Sequence, residues 1–196
     1  MGYALAAASG VLLALSFPRY GHPVFAWVAL APLLFALVRT PRPRAFLFGF
    51  IAGVIFFAGT LYWITGVMAV YGGLQIWIAV LINAGLILYL SVFTGLFVAI
   101  TRRFVAVVGP AGVLASPFVW VAAEQARGYV TGFLWTPLGN SQVTVLPIVQ
   151  LASVTGVFGL SWLAAAVSAA LVFASMPLRR RYVPLACALV LIVGIG

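Results

Sequence analysis

Residues 74–100 read LQIWIAVLINAGLILYLSVFTGLFVAI, and this stretch decides the fold class because it contains no charged side chain. One transmembrane helix needs about 20 consecutive apolar residues, so the stretch is long enough to cross a bilayer. Asn83, in its middle, would be unfavourable against lipid, and we expect its amide to hydrogen-bond to a neighbouring helix. Arg102 and Arg103 follow. The sequence therefore predicts a membrane-spanning helix that ends at a basic loop.

The rest of the chain has the same apolar character. Hydrophobic residues make up 66% of the 196 residues, charged residues make up 6%, and the mean hydropathy is +1.27. Ordinary soluble domains contain about 25% charged residues, so a water-soluble fold is excluded. The net charge of +9 comes from arginines dispersed between apolar runs, which argues against a nucleic-acid partner. The composition predicts a polytopic protein whose partner is the lipid bilayer.

Charges, prolines and glycine pairs divide the chain into seven apolar segments. Their approximate ranges are 2–17, 23–38, 45–69, 74–100, 104–123, 147–176 and 182–196. We therefore expect an all-α membrane bundle of six to seven transmembrane helices that forms one domain over residues 1–196. The last segment is shorter than the roughly 17–25 residues that a span needs, so we expect it to be truncated at Gly196.

The distribution of arginine predicts the orientation, because basic residues are retained on the cytoplasmic side. The even-numbered loops contain Arg39, Arg42, Arg44, Arg102, Arg103, Arg179, Arg180 and Arg181. The odd-numbered loops contain only Arg19 and Arg127. We expect a multi-pass protein of the cell membrane with a cytoplasmic N-terminus. Loop 124–147 and the C-terminus are expected on the outer side.

The fifth loop, from about 124 to 147, is the longest and the richest in polar groups. It contains Glu124, the single acidic residue, and Arg127 three positions later. If the preceding helix continues, this spacing places both side chains on one face, where they can pair. We interpret them as a structural ion pair, as a site for a lipid headgroup or acyl carrier, or as a general acid or base. The apolar surroundings favour a re-entrant or interfacial loop.

Several aromatic and polar side chains in or near this loop can be interpreted either as structural or as functional residues. Tyr129 and Trp135 are typical of the interfacial aromatic belt. Ser141 is expected on the same side as His22 and Glu124, which permits a Ser-His-Glu arrangement. No Gly-x-Ser-x-Gly turn surrounds Ser141, however, and a turn role for His22 is favoured. One histidine, one cysteine and one acidic residue in the whole chain predict no metal site, and no cofactor is expected.

Glycines recur within two of the apolar segments. Small residues allow transmembrane helices to approach each other closely. We therefore expect close helix packing at Gly49, Gly53 and Gly59 in the third segment, and at Gly156 and Gly159 in the sixth.

The fifth loop resembles a known family. The runs Glu-Gln-Ala-Arg-Gly at 124–128, Thr-Gly-Phe-Leu-Trp at 131–135 and Leu-Gly-Asn-Ser-Gln at 138–142 are similar to a signature of apolipoprotein N-acyltransferase. That signature reads Glu-x-x-Arg-Gly, Thr-Gly-Phe-Pro-Trp and Gly-Tyr-Ser-Gln, so Leu134 replaces a proline and Asn140 a tyrosine. Further matches in the family's order extend the resemblance over the whole chain, at 16–18, 31–34, 62–63 and 151–161.

The resemblance implies a bacterial inner-membrane enzyme that transfers an acyl chain from a phospholipid to the α-amino group of a lipoprotein's N-terminal diacylglyceryl-cysteine. In such enzymes a periplasmic nitrilase-like domain supplies a catalytic cysteine, glutamate and lysine. This chain has no lysine, and Cys187 lies in an apolar segment, so no catalytic residue is expected and the chain alone is expected to be inactive. The residues expected to bind substrate are Trp135, Glu124, Arg127, Tyr129, Ser141 and Gln142.

Two other functions stay open at this point. A small channel or transporter would use Glu124, Asn83 and Gln125 to line a path, although a single acidic residue and the lack of an internal repeat argue against it. A membrane anchor for a separate glycosyltransferase is the second alternative. A downstream nitrilase-like pattern would favour the enzyme, and a nucleotide-sugar glycosyltransferase would favour the anchor.

Overall fold

A computed structural model describes residues 1–17, 20–39 and 44–176, and these ranges contain helices and turns but no strand. The α-helices are α1 (Gly2–Leu15), α2 (Ala31–Val38), α3 (Ala45–Leu61), α4 (Trp63–Val70), α5 (Ile76–Val108), α6 (Ser116–Thr131), α7 (Leu146–Val149) and α8 (Ala152–Ala174). Turns of 3-10 helix lie at Pro23–Trp27, Pro110–Ala115 and Leu138–Gln142. The predicted all-α class is confirmed for this part of the chain.

In the part of the chain that the structure describes, fewer helices have the length and composition of a membrane span than the sequence predicted. Within the described ranges, α5 and α8 are long and apolar enough to cross a membrane, and α3 with α4 makes a third if their 48° bend lies within one span. Six to seven spans are therefore not confirmed. Helices α1 and α6 have 14 and 16 residues, below the roughly 20 that a span needs. The seventh predicted segment, with Cys187, lies outside the described residues.

Helix α5 shows why the predicted segment boundaries were wrong. The sequence predicted a loop at Arg102 and Arg103, but the helix continues through both and ends at Val108. Arginine is a good helix former, and the helix continues without interruption from Ile76 to Val108. The break comes where Gly109 adopts a φ of 81° and Pro110 removes a backbone donor. With 33 residues, α5 is about 50 Å long, well beyond the hydrocarbon thickness of about 30 Å.

The contacts between α1, α3 and α5 define two ends of the bundle. Helices α3 and α5 are antiparallel, because Gly49 lies against Thr94 while Leu61 lies against Asn83. Helix α1 runs parallel to α3, since Gly2 lies against Phe48 near the start of both helices. The N-terminus, Arg44, Arg102 and Arg103 therefore share one end, which we call the basic end. The C-terminal half of α3, α4 and the start of α5 lie at the opposite end.

Asn83 makes the interhelical hydrogen bonds that the sequence predicted. Its Nδ2 donates to the carbonyl oxygen of Leu61 at 3.1 Å and to Thr65 Oγ1 at 3.0 Å. These acceptors lie on either side of Tyr62, where α3 ends and the chain bends into α4. A helix end leaves carbonyl groups without intrahelical partners, so the amide of Asn83 stabilises the bend by binding one of them.

The predicted close packing at the α3 glycines is confirmed. A Cβ atom on Gly49 would meet the Thr94 carbonyl oxygen, one on Gly53 would lie 3.0 Å from Ser91, and one on Gly59 would lie 2.7 Å from the Ala14 side chain. The prediction for Gly156 was wrong, because a Cβ there would meet nothing within 4 Å. Gly156 instead has a φ of 68° and interrupts α8 near its start, a conformation that glycine adopts without strain.

Gly49→Ala is expected to lower the free energy of unfolding by about 1–3 kcal/mol, because the added methyl group forces α3 away from α5. Gly85→Ala on α5 is the matched control, since a Cβ there has open space and alanine favours helix by about 1 kcal/mol. Unfolding in mixed detergent micelles, followed by circular dichroism, measures both. Equal stabilities of the two variants would contradict tight α3–α5 packing.

The turn at Pro23–Trp27 connects the N-terminal helices to the C-terminal part of the chain. The Ser168 hydroxyl on α8 donates to the Trp27 carbonyl at 2.8 Å. Gln142 Nε2 donates to the Pro23 carbonyl at 2.9 Å, and its Oε1 accepts from Trp27 Nε1 at 3.2 Å. These bonds fix the Leu138–Gln142 turn against both parts of the bundle, and that turn holds one end of the segment described next.

Candidate functional site

The predicted fifth loop is helical over its first third. Helix α6 extends to Thr131, so Glu124 and Arg127 lie in its last two turns, and both are buried. The helix ends at Gly132, which has the left-handed φ of 66° common at helix C-termini. An irregular segment over 133–137 leads to the Leu138–Gln142 turn. The loop is therefore a short irregular segment held between a helix and a turn.

Glu124 connects α6 to the far end of this segment. Its Oε1 accepts from Trp120 Nε1 at 2.8 Å and from the Leu138 backbone N–H at 2.7 Å. The Ser161 hydroxyl, which accepts from the Gly139 backbone N–H at 2.8 Å, lies next to the same carboxyl group. A Cβ on Gly139 would meet the Val157 carbonyl, so only glycine allows this approach of the turn to α8. Glu124 thus positions the segment from inside the bundle.

Arg127 shares the face of Glu124, as the spacing predicted, but a direct ion pair, which was one of the three interpretations, is absent from the described residues. Its guanidinium carbon lies 5.2 Å from the centroid of the Phe57 ring. Arg127 Nε and Glu124 Oε2 are both buried and have no hydrogen-bond partner within the described chain. Both side chains line a cavity of about 20 Å³. The i, i+3 spacing brought the two groups to one cavity without bringing them into contact.

Thr136 is the conformationally unusual residue of the segment. Its φ is 56°, in a left-handed region that β-branched residues rarely adopt. Its hydroxyl donates to the Trp135 carbonyl at 2.7 Å, and Pro137 follows it. Thr136 lines the small cavity of Glu124 and Arg127 on one side and a large groove on the other. Strained residues of this kind persist where the surrounding structure holds them, often at binding sites.

The large groove has a volume of about 650 Å³. Its lining residues come from the end of α1 and the turn after it, from the end of α3 and the α3–α4 bend, and from the 133–140 region. They are Ala14, Phe17, Gly59, Thr60, Tyr62, Trp63, Leu134, Trp135, Thr136 and Asn140. The ring centroids of Trp63 and Trp135 are 5.3 Å apart. Trp63 is 37% exposed and Trp135 is 48% exposed. Pockets of about 300–1,000 Å³ with apolar and aromatic walls are typical of small-molecule sites. The groove opens at the end of the bundle opposite the basic end.

Tyr129 lies away from the large groove. Its side chain is 89% exposed and lines a separate depression of about 300 Å³ with Gln125, Gly128, Leu134 and Phe158. Leu134 is common to this depression and to the groove. A Cβ on Gly128 would lie 2.9 Å from Leu134 Cδ1, so Leu134 packs closely on α6. Tyr129 and Trp135 therefore lie on different sides of the segment.

Ser141 and Gln142 are buried, and protein groups occupy their polar atoms. The Ser141 hydroxyl donates to the Leu138 carbonyl at 2.6 Å and accepts from Gln142 Nε2 at 2.9 Å. His22 is exposed, and its ring contacts Phe25 with 5.6 Å between centroids. The hydrogen bonds of Ser141 thus connect it to neither His22 nor Glu124, and the described structure does not assemble the Ser-His-Glu arrangement.

Tyr62 and Trp63 line the groove, although neither was among the residues predicted to bind substrate. A usable signal was present, because these two adjacent aromatic residues lie toward the end of the third apolar segment that is opposite Arg44. Interfacial aromatic residues mark such ends.

For metals, no group of three or more His, Cys, Asp or Glu side chains occurs within the residues that the structure describes.

Comparison with known proteins identifies the family. A family model described as the apolipoprotein N-acyltransferase N-terminal domain matches residues 9–170, which include α6, the segment and the groove. The chain belongs to this family. Proteins named apolipoprotein N-acyltransferase are similar to it: that of Geobacter metallireducens is 43% identical over 164 residues, covering 83% of this chain and 31% of the relative.

Two further relatives of the apolipoprotein N-acyltransferase family show the same coverage. The protein of Methylococcus capsulatus is 33% identical over 203 residues, covering 96% of this chain and 38% of the relative. That of Photobacterium profundum is 30% identical over 175 residues, covering 86% of this chain and 33% of the relative. The chain thus spans about a third of the length of the curated relatives that it matches. It corresponds to the N-terminal membrane domain of the acyltransferase family, and its apolar helices agree with that assignment.

Proposed function

We propose that this chain, as a single domain over residues 1–196, is the membrane part of an enzyme that acylates lipoproteins. The reaction would transfer an acyl chain from a phospholipid to the α-amino group of an N-terminal diacylglyceryl-cysteine. The family assignment supports this reaction. The observation that supports a lipid-binding role is the aromatic groove between Trp63 and Trp135. It lies at the segment that carries the family signature.

The contribution of this chain would be to hold and orient lipid substrates. The sequence contains no lysine, so the cysteine, glutamate and lysine of a nitrilase-like active site cannot come from these residues. We propose that a periplasmic nitrilase-like domain supplies them, next to the groove. If the groove holds the lipid's ester group in a fixed geometry, the reaction of that group with the catalytic residues becomes an effectively unimolecular step.

The six predicted binding residues would then have different roles. Trp135 would contact an acyl chain in the groove, and Tyr129 would lie among headgroups on the outer side of the segment. Glu124 and Arg127 are buried behind the groove wall and would position that wall. Ser141 and Gln142 would hold the following turn, because protein groups already occupy their polar atoms.

We further propose that the protein lies in the inner membrane with the groove at the periplasmic face. The N-terminus, Arg44, Arg102 and Arg103 share the basic end, which supports a cytoplasmic location for that end. The groove is at the opposite end, where a lipoprotein N-terminus and a periplasmic domain would meet it.

Photochemical capture of a phospholipid tests the groove. The protein in detergent micelles is irradiated with a phospholipid that carries a diazirine on its acyl chain, and the labelled residues are mapped by mass spectrometry. We expect labelling at Trp63, Trp135 and Leu134, which line the groove. Asn140→Phe should reduce this labelling, because Asn140 is an exposed lining residue and the added ring fills the groove.

Gln150→Phe is the control for added hydrophobicity, because Gln150 is exposed and lies outside the groove lining. It should leave the labelling unchanged. Labelling that is spread evenly over the lipid-facing surface of α8, or that is equal in the two variants, would contradict a lipid-binding groove.

A further inference from the structure

Two of the side chains that line the small cavity behind Thr136 each have one buried polar atom without a partner, and the two atoms have opposite hydrogen-bonding character. Glu124 is 4% exposed and Arg127 is 3% exposed. Glu124 Oε2 accepts no hydrogen bond, and Arg127 Nε donates none, within the described chain. Leaving buried polar atoms unpaired is unfavourable, and native structures pair nearly all of them with protein groups or ordered water.

The size of the cavity limits what can occupy it. Its volume is about 20 Å³, and its other walls are mainly apolar: Phe56, Phe57, Phe93, Thr94, Trp120, Ala123 and Thr136. A cavity needs about 10–15 Å³ to hold one water molecule, so a single water fits. A phosphate group or a lipid carbonyl with its chain is much larger, so the lipid substrate is excluded from this cavity.

The charges of the cavity select the same occupant. A cation would face the guanidinium of Arg127, and an anion would face the carboxylate of Glu124. Water is neutral, donates through its hydrogens and accepts through its oxygen, so it satisfies both side chains at once.

We propose that one water molecule occupies this cavity, donates a hydrogen bond to Glu124 Oε2 and accepts one from Arg127 Nε–H. It joins the acid and the base as a water-separated pair. This bridge fixes the Glu124 carboxylate, whose other oxygen binds the Leu138 N–H. The water therefore helps to position the segment that forms the groove wall, and the inference holds whether or not the groove binds lipid.

A direct ion pair in a dry cavity is the competing arrangement. It would form if Arg127 moved from its place over the Phe57 ring and contacted Glu124 Oε2. The two arrangements differ in whether Phe57 has water next to it.

X-ray hydroxyl-radical footprinting of the protein in detergent micelles distinguishes them, because radicals formed from a bound water oxidise the side chains beside it. Phe57 lines the cavity and is 2% exposed. Phe97 is the matched control, since it is 0% exposed and packs on Trp120 at 5.0 Å without lining the cavity. We expect Phe57 to be oxidised several-fold faster than Phe97.

Ala123→Val provides the second measurement, because Ala123 lines the cavity and two added methyl groups would displace the water. In this variant we expect the oxidation of Phe57 to fall to the rate of Phe97. Equal rates for the two phenylalanines in the unmodified protein would overturn the proposal. That comparison is decisive even if the variant fails to fold.

Discussion

Glu124→Leu is expected to lower the free energy of unfolding by about 3–5 kcal/mol, the range measured when one partner of a buried charged pair is removed. Leucine accepts no hydrogen bond, so Trp120 Nε1 and the Leu138 N–H both lose their acceptor. The guanidinium of Arg127 is left in an apolar interior without a compensating charge. Unfolding in mixed detergent micelles, followed by circular dichroism, measures the loss.

Two companion variants separate these contributions. Glu124→Gln keeps an acceptor oxygen for Trp120 and Leu138 and removes only the charge, so we expect a smaller loss, of about 1–3 kcal/mol. The double variant Glu124→Leu with Arg127→Leu removes the uncompensated charge and should be more stable than Glu124→Leu alone. A double variant no more stable than the single one would show that the buried guanidinium is not the source of the instability.

The helical class and the polar interhelical contact were predictable from the sequence, because each depends on a strong local signal. A long uncharged stretch cannot avoid lipid, and Asn83 within it had to find a partner among other helices. The glycines of α3 were predictable for the same reason, since small residues in an apolar segment permit close approach.

The segment boundaries were not predictable by counting charges. Arg102 and Arg103 were interpreted as a loop, although arginine does not interrupt a helix and α5 continues through both. Glu124 and Arg127 were likewise assigned to a loop because they are polar, but they are buried in the last turns of α6. Charge did not predict where the chain meets water at Glu124, because Trp120 and Leu138 donate hydrogen bonds to its carboxylate inside the bundle.

The groove itself depends on contacts that are distant in sequence. Gln142 binds Pro23 and Trp27, more than a hundred residues away, and these bonds hold the turn that ends the groove wall. No periodicity in the sequence reports such a contact. The resemblance of the signature residues nevertheless pointed to Trp135, which lines the groove, because a family pattern preserves residue identities without showing which residues are neighbours in space.

Trp135→Ala is expected to reduce photochemical capture of phospholipid in the groove by about tenfold or more. Burial of a large apolar side chain contributes about 1.5–3 kcal/mol, and each 1.4 kcal/mol corresponds to a factor of ten in affinity. Trp135 has the largest ring on the 133–137 side of the groove, and it contacts both Trp63 and Phe133, at 5.3 and 6.0 Å between ring centroids. Loss of the indole therefore removes the central apolar surface of the groove and the support for its neighbours.

Trp77→Ala is the matched control, because Trp77 is a similarly exposed tryptophan, at 58%, on α5 and outside the groove lining. It should leave capture in the groove unchanged. Trp135→Phe retains an aromatic ring of smaller area, so we expect a value between those of Trp135→Ala and the unmodified protein. Equal capture by Trp135→Ala and Trp77→Ala would show that tryptophan content, and not the position of Trp135 opposite Trp63, governs lipid binding. A graded loss confined to position 135 would place the acyl chain against this ring, because only a contact at the ring makes capture depend on its area.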